Sequence, residues 1–341
     1  MQKLYHETFE GHIKRGEFSL LTEEELNDND GNFDTSVLLY KPDRVKTKLR
    51  ICWNLSLKNQ FGNSINQAVL PGMNLIKNLL NHLMNLRQNK YLLMADIEKA
   101  FLKIKYLPEY TKYFEILYAR NLDKNPQLYK VLVVLFGLAS SPFILNRTLM
   151  YHIQKIMAEE PSMAPFCIKL FEAFYLDDLG ISFKTKAQAK QFVQNSIKIL
   201  EMGNFNLTQW VATDPSILEG INKELIKPIS NSIEMKNGTS MTEAPQTLGY
   251  GSVIRESSES LPVLESDSVS GLKCLGISYS PQNDTFFFEK QKLVNISEAI
   301  IETKRQLLAT IPRIFDPLQV VSPLILKGAY FSVNAAQMTL S

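Results

Sequence analysis

Phe171-Glu172-Ala173-Phe174-Tyr175-Leu176-Asp177-Asp178-Leu179-Gly180-Ile181-Ser182-Phe183 sets two adjacent carboxylates between two apolar runs. Aromatic and β-branched residues fit a pleated strand and a short acidic interruption fits a turn. The stretch therefore predicts a β-hairpin with residues 171–174 and 179–183 as arms and Asp177 and Asp178 at the tip. Neighbouring carboxylates repel unless a cation stands between them. In isolation a solvated acidic turn explains the pattern equally well. A second run changes the balance: Tyr91-Leu92-Leu93-Met94-Ala95 is short, apolar and ends on Asp96. A buried strand that stops at a carboxylate puts it at a sheet edge, where it can meet the hairpin tip. Hard divalent ions such as Mg²⁺ take oxygen ligands, and two of them about 3.5–4 Å apart can activate one oxygen and stabilise another during phosphoryl transfer. Asp96, Asp177 and Asp178 suit that task. Because strand side chains alternate, Asp177 and Asp178 should point differently, and Asp177 is the expected ligand of both ions.

The chain has 341 residues, 45% of them apolar, enough for a large core split into two or three lobes. A net charge of +2 leaves nucleic-acid binding to local basic patches. One such patch is legible: Lys46, Lys48 and Arg50 alternate with Val45, Thr47, Leu49 and Ile51, so a strand there turns all three cations to one face. That face suits a triphosphate, or simply solvent. The three cysteines, Cys52, Cys167 and Cys274, are isolated and odd in number, which argues against a disulfide framework and for a reducing compartment. The first residues lack an apolar signal core and the run 131–136 is too short to span a bilayer, so a soluble, cytoplasmic protein is expected.

Coarse periodicity predicts a mixed α/β (α+β) chain. A short N-terminal helix ends at Lys14-Arg15-Gly16, residues 23–32 read as a surface loop, and helices are expected over 75–87, 142–158, 186–202 and 297–311. Residues 228–271, rich in Ser, Thr, Glu and Asn, read as an extended loop or insertion. Ser141 and Pro142 suit the cap and first turn of the second of these helices, and Gly137 suits a close backbone approach. His82 and His152 fall inside helices without spacing to a further ligand and read as structural.

Several segments recur in a telling order: Lys48-Leu49-Arg50-Ile51; Asn63-Ser64-Ile65-Asn66 with Leu70-Pro71-Gly72; Ala95-Asp96-Ile97-Glu98-Lys99-Ala100-Phe101; Phe136-Gly137-Leu138-Ala139-Ser140-Ser141-Pro142-Phe143; and Tyr175-Leu176-Asp177-Asp178. Together they resemble the reverse transcriptase of BEL/Pao long-terminal-repeat retrotransposons. Gly203-Asn204-Phe205-Asn206-Leu207 with Trp210, Leu275-Gly276-Ile277, Thr303-Lys304-Arg305-Gln306 and Phe315-Asp316-Pro317-Leu318 extend the likeness. The resemblance implies a right-hand polymerase, with fingers at 1–90 and 106–135, palm at 91–105 and 136–288, and a partial thumb from 289. It implies RNA-directed DNA polymerase activity, a nucleotidyl transfer from dNTP to the 3′-hydroxyl of a DNA primer on an RNA template, with two Mg²⁺ or Mn²⁺ ions held by Asp96, Asp177 and Asp178.

By the same resemblance Lys48, Arg50, Phe101 and Gly137 bind the nucleotide, with Phe101 leaving no room for a 2′-hydroxyl. Leu275 and Gly276 grip the primer, and the neighbouring Phe286, Phe287 and Phe288 equally suit a core. Location within retroelement particles is a further implication. The chain departs from the pattern at Asn54, in place of Asp, at Val133 and Leu135, in place of Arg and Pro, and at Thr208-Gln209, in place of a basic pair. No Asp-Thr-Gly or Asp-Ser-Gly protease motif is found in the sequence, and measured against a full element of the family, with its protease, ribonuclease H and integrase regions, the resemblance implies a fragment. A catalytically silent remnant that keeps the fold and binds nucleic acid is the alternative expectation.

Overall fold

A computed structural model describes residues 2–27, 36–40, 49–59, 61–119, 125–227, 272–280 and 283–287, together with 303, 306, 316–319 and 322. In chain order the elements are α1 (Gln2–Lys14), β1 (Phe18–Leu20), α2 (Glu23–Asn27), β2 (Ser36–Tyr40), β3 (Leu49–Trp53), α3 (Ile65–Ala68), α4 (Leu79–Leu86), β4 (Tyr91–Ile97), β5 (Glu115–Tyr118) and β6 (Gln127–Val131). They continue as α5 (Ser141–Glu159), α6 (Ala164–Ala173), β7 (Phe174–Tyr175), β8 (Asp178–Phe183), α7 (Lys186–Met202), β9 (Leu207–Ala212), β10 (Leu272–Cys274), β11 (Ile277–Ser280) and β12 (Thr285–Phe287). Helices and antiparallel sheets are mixed, as the periodicity predicts.

A four-stranded antiparallel sheet, in the order β7-β8-β4-β9, organises the larger lobe. Its central strand β4 reads as an almost unbroken apolar run because both faces are covered. Leu93, Ala95 and Ile97 pack with Leu145, Leu149 and Ile153 of α5, Leu170 of α6, and Phe192 and Val193 of α7. Leu92 and Met94, on the opposite face, pack with Leu83 and Leu86 of α4, Val211 of β9, and Ile277 and Tyr279 of β11. Each fully buried aliphatic side chain here is worth about 1.5–3 kcal/mol relative to exposure. Gly180 lets α4 lie against β8, since a Cβ at this position would stand 2.7 Å from Leu86 Cδ2.

A second lobe builds on the sheet β1-β6-β5. Phe9 of α1, Phe18, Ile51, Trp53, Ile116, Tyr129 and Val131 form its core, and the Phe9 and Tyr118 rings stack at 3.8 Å. The small sheet β10-β11-β12 is tied to the end of α4, where the Arg87 guanidinium donates to both carboxylate oxygens and the carbonyl of Asp284, and the Tyr279 hydroxyl donates to the same carboxylate at 2.8 Å. Among the described residues no helix is long and apolar enough to cross a membrane.

Several expectations need correction. Residues 171–173 belong to α6, so the first arm of the hairpin is only Phe174–Tyr175. A short apolar run has no periodicity to separate strand from buried helix, and Cys167, Leu170 and Ala173 supply the three-residue spacing that decides for helix. Residues 23–27 form α2 rather than loop, begun by a reciprocal cap: the Glu25 carboxylate accepts from the Thr22 N–H at 2.9 Å and the Thr22 hydroxyl from the Glu25 N–H at 3.3 Å. The helix expected from residue 75 starts at Leu79, because Asn78 caps it by accepting from the Asn81 N–H at 3.0 Å. Ser141 caps nothing; its hydroxyl donates to the Leu135 carbonyl at 2.6 Å and clamps the preceding loop. The helices at 142–158 and 186–202 appear as α5 and α7. Lys46, Lys48, the insertion 228–271, nearly all of the 297–311 helix and most of the segment from 289 lie outside the described residues.

Candidate active site

Register brings the carboxylates together. Asp96 lies opposite Asp178 in the β4–β8 pairing, and directly opposed residues share a face. Leu176 and Asp177 form the two-residue turn between β7 and β8, with Leu176 at φ 59°, so Asp178 already belongs to the strand and only Asp177 stands in the turn. The Asp177 carbonyl accepts from the Ile97 N–H at 3.0 Å, which carries the β4 pairing up to the hairpin tip. All three acids are half-buried, and Asp96 and Asp178 line one pocket with Met94.

This crowding shows in their protonation. Burial, then the charges of Asp177 and Asp178, push Asp96 up to about 7, with Arg50 and Lys227 pulling the other way. Burial and Asp177 push Asp178 up to about 6 against Lys227. Burial also raises Asp177, opposed by its own backbone N–H and by Arg50. The protein's own cations thus fail to offset the cluster. Among the described residues no three His, Cys, Asp or Glu side chains form a ready-made ligand cage. The residues nevertheless fit a hard divalent ion: uncompensated carboxylate oxygens are its preferred donors, and Mg²⁺ typically combines one or two carboxylates with substrate phosphate and water.

The walls come from distant segments. The β4–β9 pairing carries an extra residue on β9 opposite the step from Met94 to Asp96, and Gln209 within it sits at φ 55°. A left-handed glutamine in a bulge is strained, and its amide donates to Asp96 Oδ2 at 3.4 Å. Lys227, whose N–H donates to the Trp210 carbonyl at 3.0 Å, lines the same pocket beside Asp96, Asp178, Gln209, His82 and Leu275. Leu275 and Gly276, at φ 48° and 89°, form a two-residue turn between β10 and β11, and Leu275 reaches the acids.

Arg50 lies exposed on β3, the face expected for it, and acts on Asp96 and Asp177 through its charge. Phe101 is 7% exposed, packs in the main core, and meets the Phe136 ring edge-on at 4.8 Å. Gly137 has φ 95°, and a Cβ there would stand 3.1 Å from the Trp53 carbonyl. Asn66 pins that loop: its amide donates to the Gly137 carbonyl at 2.9 Å and accepts from the Ala139 N–H at 2.8 Å.

The antiparallel acids, the loop at Phe136–Gly137 and Arg50 on a second lobe coincide with a comparison of families. Residues 43–209 match the reverse transcriptase (RNA-dependent DNA polymerase) family. The match supports RNA-directed DNA polymerase function in general, a function that generally uses divalent metal ions. No curated protein matches the chain. The reverse transcriptase match takes in Arg50, Asp96, Phe101, Gly137, Asp177 and Asp178, and ends at Gln209.

Lys227, Gln209 as an Asp96 partner, and Asn66 as a loop anchor escaped the sequence reading. A lone lysine before Pro228 carries no periodic signal, and a bulge leaves none either; Asn66 was visible only as part of a motif. His82 packs its ring on Tyr175 at 5.6 Å, and burial, then the charge of Lys77, push it down to about 4. His152 bonds the Ile199 carbonyl at 2.7 Å.

Proposed function

We propose that this chain is the polymerase of a BEL/Pao-type retroelement, extending a DNA primer on an RNA template. The observation that carries the reading is the pairing of Asp96 with Asp178 beside the Asp177 turn, three half-buried carboxylates that the charges of Arg50 and Lys227 offset only in part. In the reaction the primer 3′-hydroxyl oxygen attacks the α-phosphorus of the dNTP, its proton leaves, and the bond to the pyrophosphate breaks. Two Mg²⁺ or Mn²⁺ ions, when bound, would lower the pKa of the hydroxyl and neutralise charge on the leaving pyrophosphate. Asp96 and Asp177 would hold both ions, with Asp178 assisting. Arg50 supplies positive charge on the Asp177 side, toward the triphosphate, and Lys48 would extend it. Phe101 and Phe136 form the floor beneath the incoming sugar, Gly137 leaves room for the nucleotide, and the Leu275–Gly276 turn holds the primer end. The Phe9–Tyr129 core would be the fingers and the β4 sheet the palm.

Gln209 favours the competing reading of a silent remnant, since it is neutral at a position usually basic. Primer extension by the purified chain, on an RNA template with dNTPs and Mg²⁺, decides between them. Extended product supports the polymerase. Salt-dependent binding of RNA–DNA duplex without extension supports the remnant.

A further inference from the structure

We propose that Lys77 is a positioning residue for the acidic hairpin: its ammonium clamps the junction where α6 passes into β7 and so sets where Asp177 and Asp178 stand. The inference rests on the reading of those residues as polymerase acids.

Lys77 lies in the irregular segment before α4, far from the hairpin in sequence, yet its Nζ donates to the Phe171 carbonyl at 2.6 Å and to the Phe174 carbonyl at 3.0 Å. The first acceptor is in the last turn of α6 and also receives the Phe174 N–H; the second opens β7, three residues before Asp177. The end of a helix concentrates the partial negative charge of its unpaired carbonyls, so a cation is favoured there, and charged donors make the stronger hydrogen bonds. One ammonium can bridge two acceptors on either side of a chain reversal; an apolar side chain cannot. The ring of Phe171 lies 5.0 Å from Nζ. Helix α4, which follows, continues the splint, with the His82 ring against Tyr175 and Leu86 against Gly180.

The charge is held at a cost to the fold. Burial pushes Lys77 down to about 8 from 10.5, with Glu172 of α6 pulling upward. Between those two values the unfolded chain keeps a proton that the folded chain has released, so this residue's contribution to stability rises with pH there and is least favourable at neutrality. A side chain serving stability alone would be apolar here. Among the described residues the other titratable group coupled to it is His82 of α4, uncharged above about 4.

The test compares the full chain with Lys77→Met and Lys77→Arg, following primer extension, thermal midpoint and amide exchange of residues 174–178. Lys77→Met is expected to lower kcat about tenfold or more, since small displacements of reacting groups cost rates of that order. The KM values for dNTP and primer should stay unchanged, the midpoint equal or higher, and exchange at 174–178 faster. Lys77→Arg should keep most of the rate and lose the decline in kcat expected of the parent above pH about 8. Parental kcat and exchange in Lys77→Met, or an arginine variant as slow as the methionine one, would overturn the proposal. Were the parent itself to extend no primer, the polymerase reading would fall, while exchange at 174–178 would still decide whether Lys77 holds the hairpin.

Discussion

Phe101 has an observed role in the core and a proposed one in sugar selection. Packed in the main core and edge-on to Phe136, it cannot be trimmed without leaving a cavity, and it lies five residues past Asp96, where the proposed function puts it beneath the incoming sugar. Phe101→Val should therefore do two separable things. It should lower stability by about 1–3 kcal/mol through lost burial, and it should admit ribonucleotides by relaxing discrimination worth about 1–3 kcal/mol. A melting curve reads the first and incorporation of ribo- against deoxynucleotides reads the second. A variant that melts lower but rejects ribonucleotides as well as the parent would assign Phe101 to the core alone. Gln209 shows the same economy in reverse: strain in a β-bulge is accepted at one residue to aim an amide at Asp96.

Elements position the chemistry through a few cross-links. Asn66 reaches from the start of α3 to the Gly137 carbonyl and the Ala139 N–H, either side of Leu138, and Asn66→Ala should loosen this loop, proposed to face the nucleotide, without touching the acids. The expected outcome is a rise in dNTP KM of about tenfold, equivalent to about 1.4 kcal/mol, with kcat nearly unchanged. A steady-state KM series checks it, and a loss confined to kcat would place Asn66 elsewhere in the cycle. The acid-bearing strand was legible as a short apolar run ending on Asp96, and helices α5 and α7 because their buried residues recur at three and four, with Thr185 capping α7. The hairpin was legible at its tip to within one residue, Asp178 being strand, and not in its first arm, because Phe171 and Ala173 flanking the exposed Glu172 suit an alternating strand as well as the last turn of a helix. The acids were legible as a set, but the clamp from Lys77, the bulge at Gln209 and the approach of Lys227 depend on contacts across a hundred residues that no local pattern encodes.

At the scale of the whole molecule, acid stability rests partly on the smaller lobe. Burial alone would raise the Glu17 pKa, but hydrogen bonds and charge from His12 and Arg15 outweigh it and hold the carboxylate at about 2. A depressed carboxylate contributes stability that is present above its unfolded value of 4.5 and lost as pH falls toward 2, amounting to about 3 kcal/mol at most. Urea midpoints at pH 6 and pH 3 should therefore diverge more in the parent than in Glu17→Gln, and equal differences would remove Glu17 from the account of acid unfolding. The two lobes and the β10-β11-β12 sheet meet around one sheet face, where Arg50, Leu275 and Lys227 surround three acids that repel one another. The most direct measurement is primer extension on an RNA template by Asp96→Asn and Asp177→Asn beside the parent, with thermal midpoints taken in the absence of divalent ions. The expected result is extension by the parent alone, with both variants inactive and melting at the parental temperature or above it, because each removes a charge from a crowded cluster. Extension at the parental rate by either variant would contradict the assignment of these acids as the catalytic metal ligands.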